Sequence, residues 1–196
     1  HAIYWPAFLL AAHIEPPNRV FGHGWILSGD EKMSKSKGNI LNPIEIIDTY
    51  GIDELRYYLM KEVSHGSDGS ISLKSLENCI NSDLANNYGN LCQRVFSFVK
   101  NNCKNIVIKT ENITNSDKKL INETKLLTNN LRAEMNNQNL NNYIKSVINI
   151  SFLTNKYIND EEPWRLKNTN IERMNNILHI SLAQIAKISI LLNPII

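Results

Sequence analysis

From position 72 onward, apolar residues recur at steps of three and four, first at Leu73, Leu76, Ile80, Leu84, Tyr88, Leu91, Val95 and Phe98. That spacing lines one face of an α-helix, and one long helix is predicted here. Three further stripes follow: Leu120, Leu127, Leu131 and Met135; then Leu140, Ile144, Val147, Ile148 and Phe152; then Ile171, Met174, Leu178, Leu182, Ile185 and Leu192. Each stripe needs another helix to cover it, so a bundle of four or more helices is predicted over 71–196. Asparagine is abundant between the apolar positions, as in Asn129-Asn130 and Asn136-Asn137, and reads as the composition of solvent-facing helix surface.

The first 70 residues have a different texture. Residues 1–29 are rich in aromatics, Gly and Pro, and 19–27 read as short extended segments around a glycine-rich turn, the tail of an α/β domain. Residues 28–42 switch to Gly, Ser, Asp and Lys without apolar periodicity, which predicts a flexible polar loop. Asn42 is placed to cap a short helix with Pro43 in its first position, ending at Gly51. Asp53 opens a second helical stretch that runs to Lys61 and breaks in a polar loop over 64–70. That loop is the expected boundary before the bundle.

Composition narrows the class. With 42% hydrophobic and 20% charged residues among 196, the chain folds as one large or two small units with real cores. No apolar run reaches the roughly 20 residues needed to cross a bilayer, so a soluble protein without a membrane partner is expected. The chain opens on His1 inside the apolar run Ala2-Ile3-Tyr4-Trp5-Pro6-Ala7-Phe8-Leu9-Leu10 and closes on Leu191-Leu192-Asn193-Pro194-Ile195-Ile196. Neither end has the layout of a signal peptide, and both suggest a piece of a longer chain. Cys79, Cys92 and Cys103 are spaced as neither a disulfide framework nor a zinc site, so reduced thiols in a cytoplasmic protein are expected. A net charge of +2 is too small to announce general nucleic-acid binding, and any RNA contact must be local.

Two segments carry chemistry. Lys32-Met33-Ser34-Lys35-Ser36-Lys37-Gly38-Asn39 places three ammonium groups and two hydroxyls in eight residues of loop, and a triphosphate is its natural ligand. A lysine is a compact charge on a flexible stem, suited to following negative charge as pyrophosphate departs from the α-phosphorus. In the helical half, Asn90 and Arg94 stand four apart on one helical face, an amide and a guanidinium able to read base edges and phosphate. Pro163-Trp164 falls in the break between the third and fourth stripes, where Trp164 is either an inter-helix packing residue or a platform for a stacked base.

Lys32-Met33-Ser34-Lys35-Ser36 resembles the second signature of the class I aminoacyl-tRNA synthetases. The flanks His1-Ala2-Ile3-Tyr4-Trp5-Pro6-Ala7-Phe8-Leu9 and His23-Gly24-Trp25, with Asn86-Asn87-Tyr88-Gly89-Asn90-Leu91, resemble the methionine-specific branch of that class. The resemblance implies an α/β remnant of a Rossmann-type catalytic domain (1–29), a lysine-loop and connecting region (30–70), and an all-α helical-bundle anticodon-binding domain (71–196). It implies ATP with Mg2+ as substrate, methionine and its tRNA as partners, and no structural metal in this stretch. Lys32 and Lys35 become the catalytic candidates, with His23, Gly24, Met33, Ser34 and Ser36 beside them at ATP. His1 and Trp5 line the methionine pocket, where an aromatic face suits a thioether, and Asn90, Arg94 and Trp164 bind the anticodon. The family's other nucleotide signature is absent from this sequence, so neither step is expected from this stretch alone. Two alternatives stay open: another class I synthetase, or a noncatalytic tRNA-binding module of synthetase descent.

Overall fold

The computed structural model describes residues 1–29, 31–34, 41–64, 66–109 and 112–196. Helix α1 (Tyr4–Ala11) leads to a hairpin of β1 (Ile26–Ser28) and β2 (Glu31–Lys32), followed by α2 (Pro43–Tyr50), α3 (Ile52–Glu62) and β3 (Gly69–Ile71). β1 lies centrally, antiparallel to β2 with Ser28 opposite Glu31, and parallel to β3 with Leu27 opposite Ser70. Parallel strands cannot be joined by a tight turn, and α2 and α3 form the crossover between them. The polar stretches predicted as loops thus each contain strand. Glu31 and Lys32 belong to β2, and the 64–70 loop ends inside β3, whose partner lies some 43 residues upstream.

The local signals around α2 hold. Asn42 Oδ1 accepts from the Ile44 amide at 3.1 Å, Pro43 takes the first turn, and Gly51, at φ 108°, ends the helix in a conformation that side chains resist. Helix α1 is another matter: it is apolar on every side and has no buried residue, with Ile3, Tyr4, Phe8 and Leu10 each more than half exposed.

The predicted long helix exists, but it is not uniform. α4 (Leu73–Cys79) begins under a capping box from Ser72, whose hydroxyl accepts from the Ser75 amide. It widens into a π-helical segment (Ile80–Gly89) and tightens again into α5 (Asn90–Asn102). Buried positions fall at Cys79, Asp83, Asn87, Leu91, Val95 and Val99, a strict step of four. An α-helix turns in 3.6 residues, so a step of four drifts off one face unless the winding widens, and the π segment supplies that widening. As a result Asp83 and Asn87 go inside, whereas the expected Ile80, Leu84 and Tyr88 are only half-buried.

Beyond it come α6 (Asn115–Thr128), α7 (Leu131–Asn136), α8 (Leu140–Glu161), the single turn α9 (Pro163–Leu166) and α10 (Ile171–Leu192). The stripe of Leu120, Leu127, Leu131 and Met135 is therefore split between two helices at Asn129-Asn130. α8 is the central helix, packed by α3, α6, α7, the π segment and α10. It packs against α10, and Ile144, Val147, Ile148, Ile150 and Ile158 of α8 share one buried core with Met174, Ile177, Leu178, Ile185 and Ile188 of α10. α10 has the length and apolarity to cross a membrane, but more than half of that stretch is buried in the bundle.

Two carboxylates are held inside. Asp83 accepts from Tyr57 Oη at 2.7 Å and pairs with Lys61 Nζ at 2.8 Å. Asp117 is fully buried and accepts from Arg173 Nη1 and Nη2 at 2.7 and 2.9 Å, from Tyr157 Oη at 2.6 Å and from Asn176 Nδ2 at 3.0 Å. Its Oδ2 also accepts from the Thr114 amide at 2.9 Å, so one side chain caps α6 and ties it to α8 and α10. Arg173 reaches Glu161 at 2.6 Å as well, which pins the last residue of α8. Burial raises the Asp117 pKa, but the bonds from Arg173, Tyr157 and Thr114 outweigh it and hold the carboxyl below its ordinary value.

Candidate functional site

The sheet edge gathers part of the predicted nucleotide side. His23 Nδ1 donates to the Gly24 carbonyl at 2.8 Å. The Trp25 amide donates to Asp68 Oδ1 at 2.7 Å, and the Gly69 amide returns to the Trp25 carbonyl at 2.9 Å. Gly24 passes so close to the Ser67 backbone that a β-carbon there would collide with it, which is why glycine stands between His23 and Trp25. The β1–β2 register sets Lys32 opposite Leu27, and its ammonium lies 3.8 Å from the centre of the exposed Trp25 ring. Such a contact is worth about 0.5–1 kcal/mol at an exposed site and leaves the cation charged. Met33 is half-buried against the core, an apolar anchor between polar neighbours, and Ser34 follows it half-buried. Lys35 and Ser36 lie outside the described residues. Trp25 and Asp68 were not singled out from the sequence: Trp25 stood beside His23-Gly24, whereas nothing local marks Asp68.

His1 is exposed ahead of α1, and Trp5 lies in the first turn of that helix, 46% exposed.

The bundle brings together residues 70 apart. Asn90 and Arg94 line a groove of about 450 Å³ along α5, with Gln93, Ser97, Phe98 and Asn101. Arg94 and Phe98 also wall a small cleft against Pro163 and Trp164. Arg94 and Phe98 thus border both the groove that holds Asn90 and the cleft that holds Trp164. Trp164 is placed by backbone geometry: Glu162 takes φ 44°, turning the chain out of α8, and the buried Pro163 opens α9 so that Trp164 emerges 38% exposed.

The charge state of Arg94 is distinctive. Its Nη1 donates to Asn159 Oδ1 at 2.8 Å and its Nη2 to the Asn155 backbone and side-chain oxygens, each at 3.4 Å. All three acceptors are neutral. Burial alone pulls its pKa below the ordinary arginine value, and Nε is buried without a partner. Arg173, by contrast, faces two carboxylates, whose bonds overcome its burial and raise its pKa. One guanidinium is neutralised in the core and the other keeps its charge at a groove lined by amides and an aromatic ring. That set suits single-stranded nucleic acid, where bases stack and present their edges. Phe98 stood in the predicted core stripe and its place on the groove was not foreseen, nor was the contact of Asn155 and Asn159 with Arg94, two residues that lie in the asparagine background of α8. Among the described residues no group of three or more His, Cys, Asp or Glu side chains could hold a metal ion.

A family model described as tRNA synthetases class I (M) matches residues 1–96. A methionine–tRNA ligase of Brucella suis is 38% identical over 196 residues, covering all of this chain and 38% of the relative. One from Rickettsia felis is 40% identical over 202 residues, covering all of this chain and 39% of the relative. The chain is thus similar over its whole length to methionine–tRNA ligases, and over residues 1–96 to the class I (M) synthetase family. It spans 38–39% of the length of these relatives. Among solved structures, the Mycobacterium tuberculosis methionyl-tRNA synthetase in complex with methionyl-adenylate superposes with a TM-score of 0.91 at 34% identity, over all of this chain and 39% of that one. The apo form of the same synthetase gives 0.86 at 31% identity. The mostly helical chain with its small three-stranded sheet is thus a piece of architecture shared with methionyl-tRNA synthetases.

Proposed function

We propose that this chain supplies the lysine-loop side of ATP-dependent methionine activation and the anticodon-reading bundle of a methionine–tRNA ligase. The observation that carries the reading is Arg94, un-neutralised, bordering both the groove that holds Asn90 and the cleft that holds Trp164. In the activation step a methionine carboxylate oxygen attacks the α-phosphorus of Mg-ATP, the bond to pyrophosphate breaks, and methionyl-adenylate forms. The methionyl group then passes to a hydroxyl of the terminal adenosine of the tRNA, releasing AMP. Lys35 meets the phosphates as their charge shifts, and Lys32 supports the loop from β2, where the Trp25 ring steadies its ammonium. His23 and Gly24 hold the strand-end backbone beside ATP, Ser34 and Ser36 add neutral donors, and Met33 fastens the loop to the core.

His1 and Trp5 belong to the methionine pocket in this reading. The apolar surface of α1 fits a helix covered by the remainder of a Rossmann-type catalytic domain. Asn90 and Arg94 take base edges and phosphate while Trp164 stacks a base, worth about 1–3 kcal/mol.

In the full-length enzyme, Trp164→Ala is expected to weaken cognate tRNA binding by about tenfold and leave ATP–pyrophosphate exchange unchanged. Lys35→Ala is expected to do the reverse. Exchanged outcomes would sink the division of labour between loop and bundle.

A further inference from the structure

Resting on the anticodon reading of the groove, we infer that Asn155 and Asn159 are positioning residues: a clamp of neutral oxygens on α8 that fixes the direction of the Arg94 guanidinium without cancelling its charge. Arginine has five N–H donors: the bonds to Asn155 and Asn159 use three of the four on Nη1 and Nη2, Nε is buried, and one Nη donor remains for RNA. Asn155 is itself held from below. Its Nδ2 donates to Asn87 Oδ1 at 3.0 Å and to the Asn87 carbonyl at 3.2 Å, and Ser151 Oγ donates to the same Asn87 Oδ1 at 2.9 Å. Asn87 is buried because the π-helical segment turns it inward. A chain of amides therefore runs from the core, through Asn155, to the one groove residue that carries a charge.

The choice of acceptor matters. A carboxylate would hold the guanidinium more firmly, as Asp117 and Glu161 hold Arg173, but it would also satisfy the charge that a phosphate or a base oxygen is to meet. Among the described residues no Asp or Glu is within ion-pair distance of Arg94, although Asp160, Glu161 and Glu162 follow Asn159 directly. Asn155 and Asn159 lie one helical turn apart on α8, which is the spacing needed to take the two Nη groups of one side chain. An unclamped arginine would retain many rotamers and lose their entropy only on binding RNA, so the clamp raises affinity by settling that loss beforehand.

A double-mutant cycle on the full chain tests this, using an RNA hairpin that presents the CAU anticodon and titration by anisotropy. Asn159→Ala and Asn155→Ala are each expected to weaken hairpin binding by about tenfold. In an Arg94→Ala background the same substitutions are expected to cost less than about twofold, because they act only through Arg94. Asn159 is exposed, so its alanine variant keeps the fold and serves as the decisive arm if Asn155→Ala unfolds. Equal losses with and without Arg94, or no loss in either, overturn the clamp. Unchanged hairpin binding by both Arg94→Ala and Trp164→Ala would instead overturn the anticodon reading, and the clamp with it.

Discussion

Replacing Asp117 by alanine removes the acceptor on which three helices of the bundle converge. Its carboxylate is fully buried and takes two bonds from Arg173 and one each from Tyr157, Asn176 and the Thr114 amide. The variant strands a guanidinium that is 15% exposed and retains only Glu161 as a carboxylate partner, and it leaves a phenol and an amide without their acceptor. Breaking one side of a buried ion pair costs about 3–5 kcal/mol. For a chain of this size that corresponds to a fall of about 6–20 °C in melting temperature. Urea unfolding followed by far-UV circular dichroism gives the free energy, with the midpoint falling and the slope unchanged. A double variant, Asp117→Leu with Arg173→Met, removes both charges and is expected to be less destabilised than Asp117→Ala alone. A loss below about 1 kcal/mol for Asp117→Ala, or a double variant worse than the single, would refute the claim that this network is a buried, mutually satisfied pair. The consequence reaches the groove, since Arg173 pins Glu161 and the chain turns at Glu162 to deliver Trp164.

The same carboxyl sets an acid limit. Its folded pKa is depressed, so its stabilisation is complete above the unfolded value of about 4 and is lost as the pH falls through the folded value; urea midpoints measured down to pH 2 should fall more steeply for the native chain than for Asp117→Ala. Gly24→Ala drives a methyl group into the Ser67 backbone and is expected to cost about 1–3 kcal/mol locally, read as faster amide exchange at Trp25 and Gly69. Gly22→Ala, with open space around it, should leave those amides protected. Burial first, and the nearby Asp83 and Glu62 carboxylates after it, push the Cys79 thiol up to about 11 against the opposing pull of Lys61; iodoacetamide at pH 8 should therefore modify it only after unfolding, with the half-buried Cys103 reacting earlier.

The elements most legible in the sequence were those whose causes lie within a few residues. Asn42, Pro43 and Gly51 delimit α2 because a cap, a preset φ and a left-handed stop are all local effects. The later stripes located α8 and α10 because each is one helix facing one core. The strands were less legible. β3 is three residues long and exists because Gly69 and Ser70 find Ile26 and Leu27, not because of any alternation of its own. The division between α6 and α7 likewise leaves the stripe unbroken and shows only in the turn at Asn129-Asn130.

By itself the sequence determined the helical bundle, the capped helix α2 and the motifs that nominate candidate chemistry, because periodicity, capping and motif spacing depend on neighbours along the chain. Tertiary structure decided which polar groups go inside. The step of four through the π segment buries Asp83 and Asn87, and both find partners, Tyr57 with Lys61 and Ser151 with Asn155, on helices distant in sequence. It also decided that Arg94 meets amides whereas Arg173 meets carboxylates. Two arginines that look alike in the sequence differ in what α8 presents to them, and a hydrogen bond's charge and direction are properties of the packed pair, not of either residue alone.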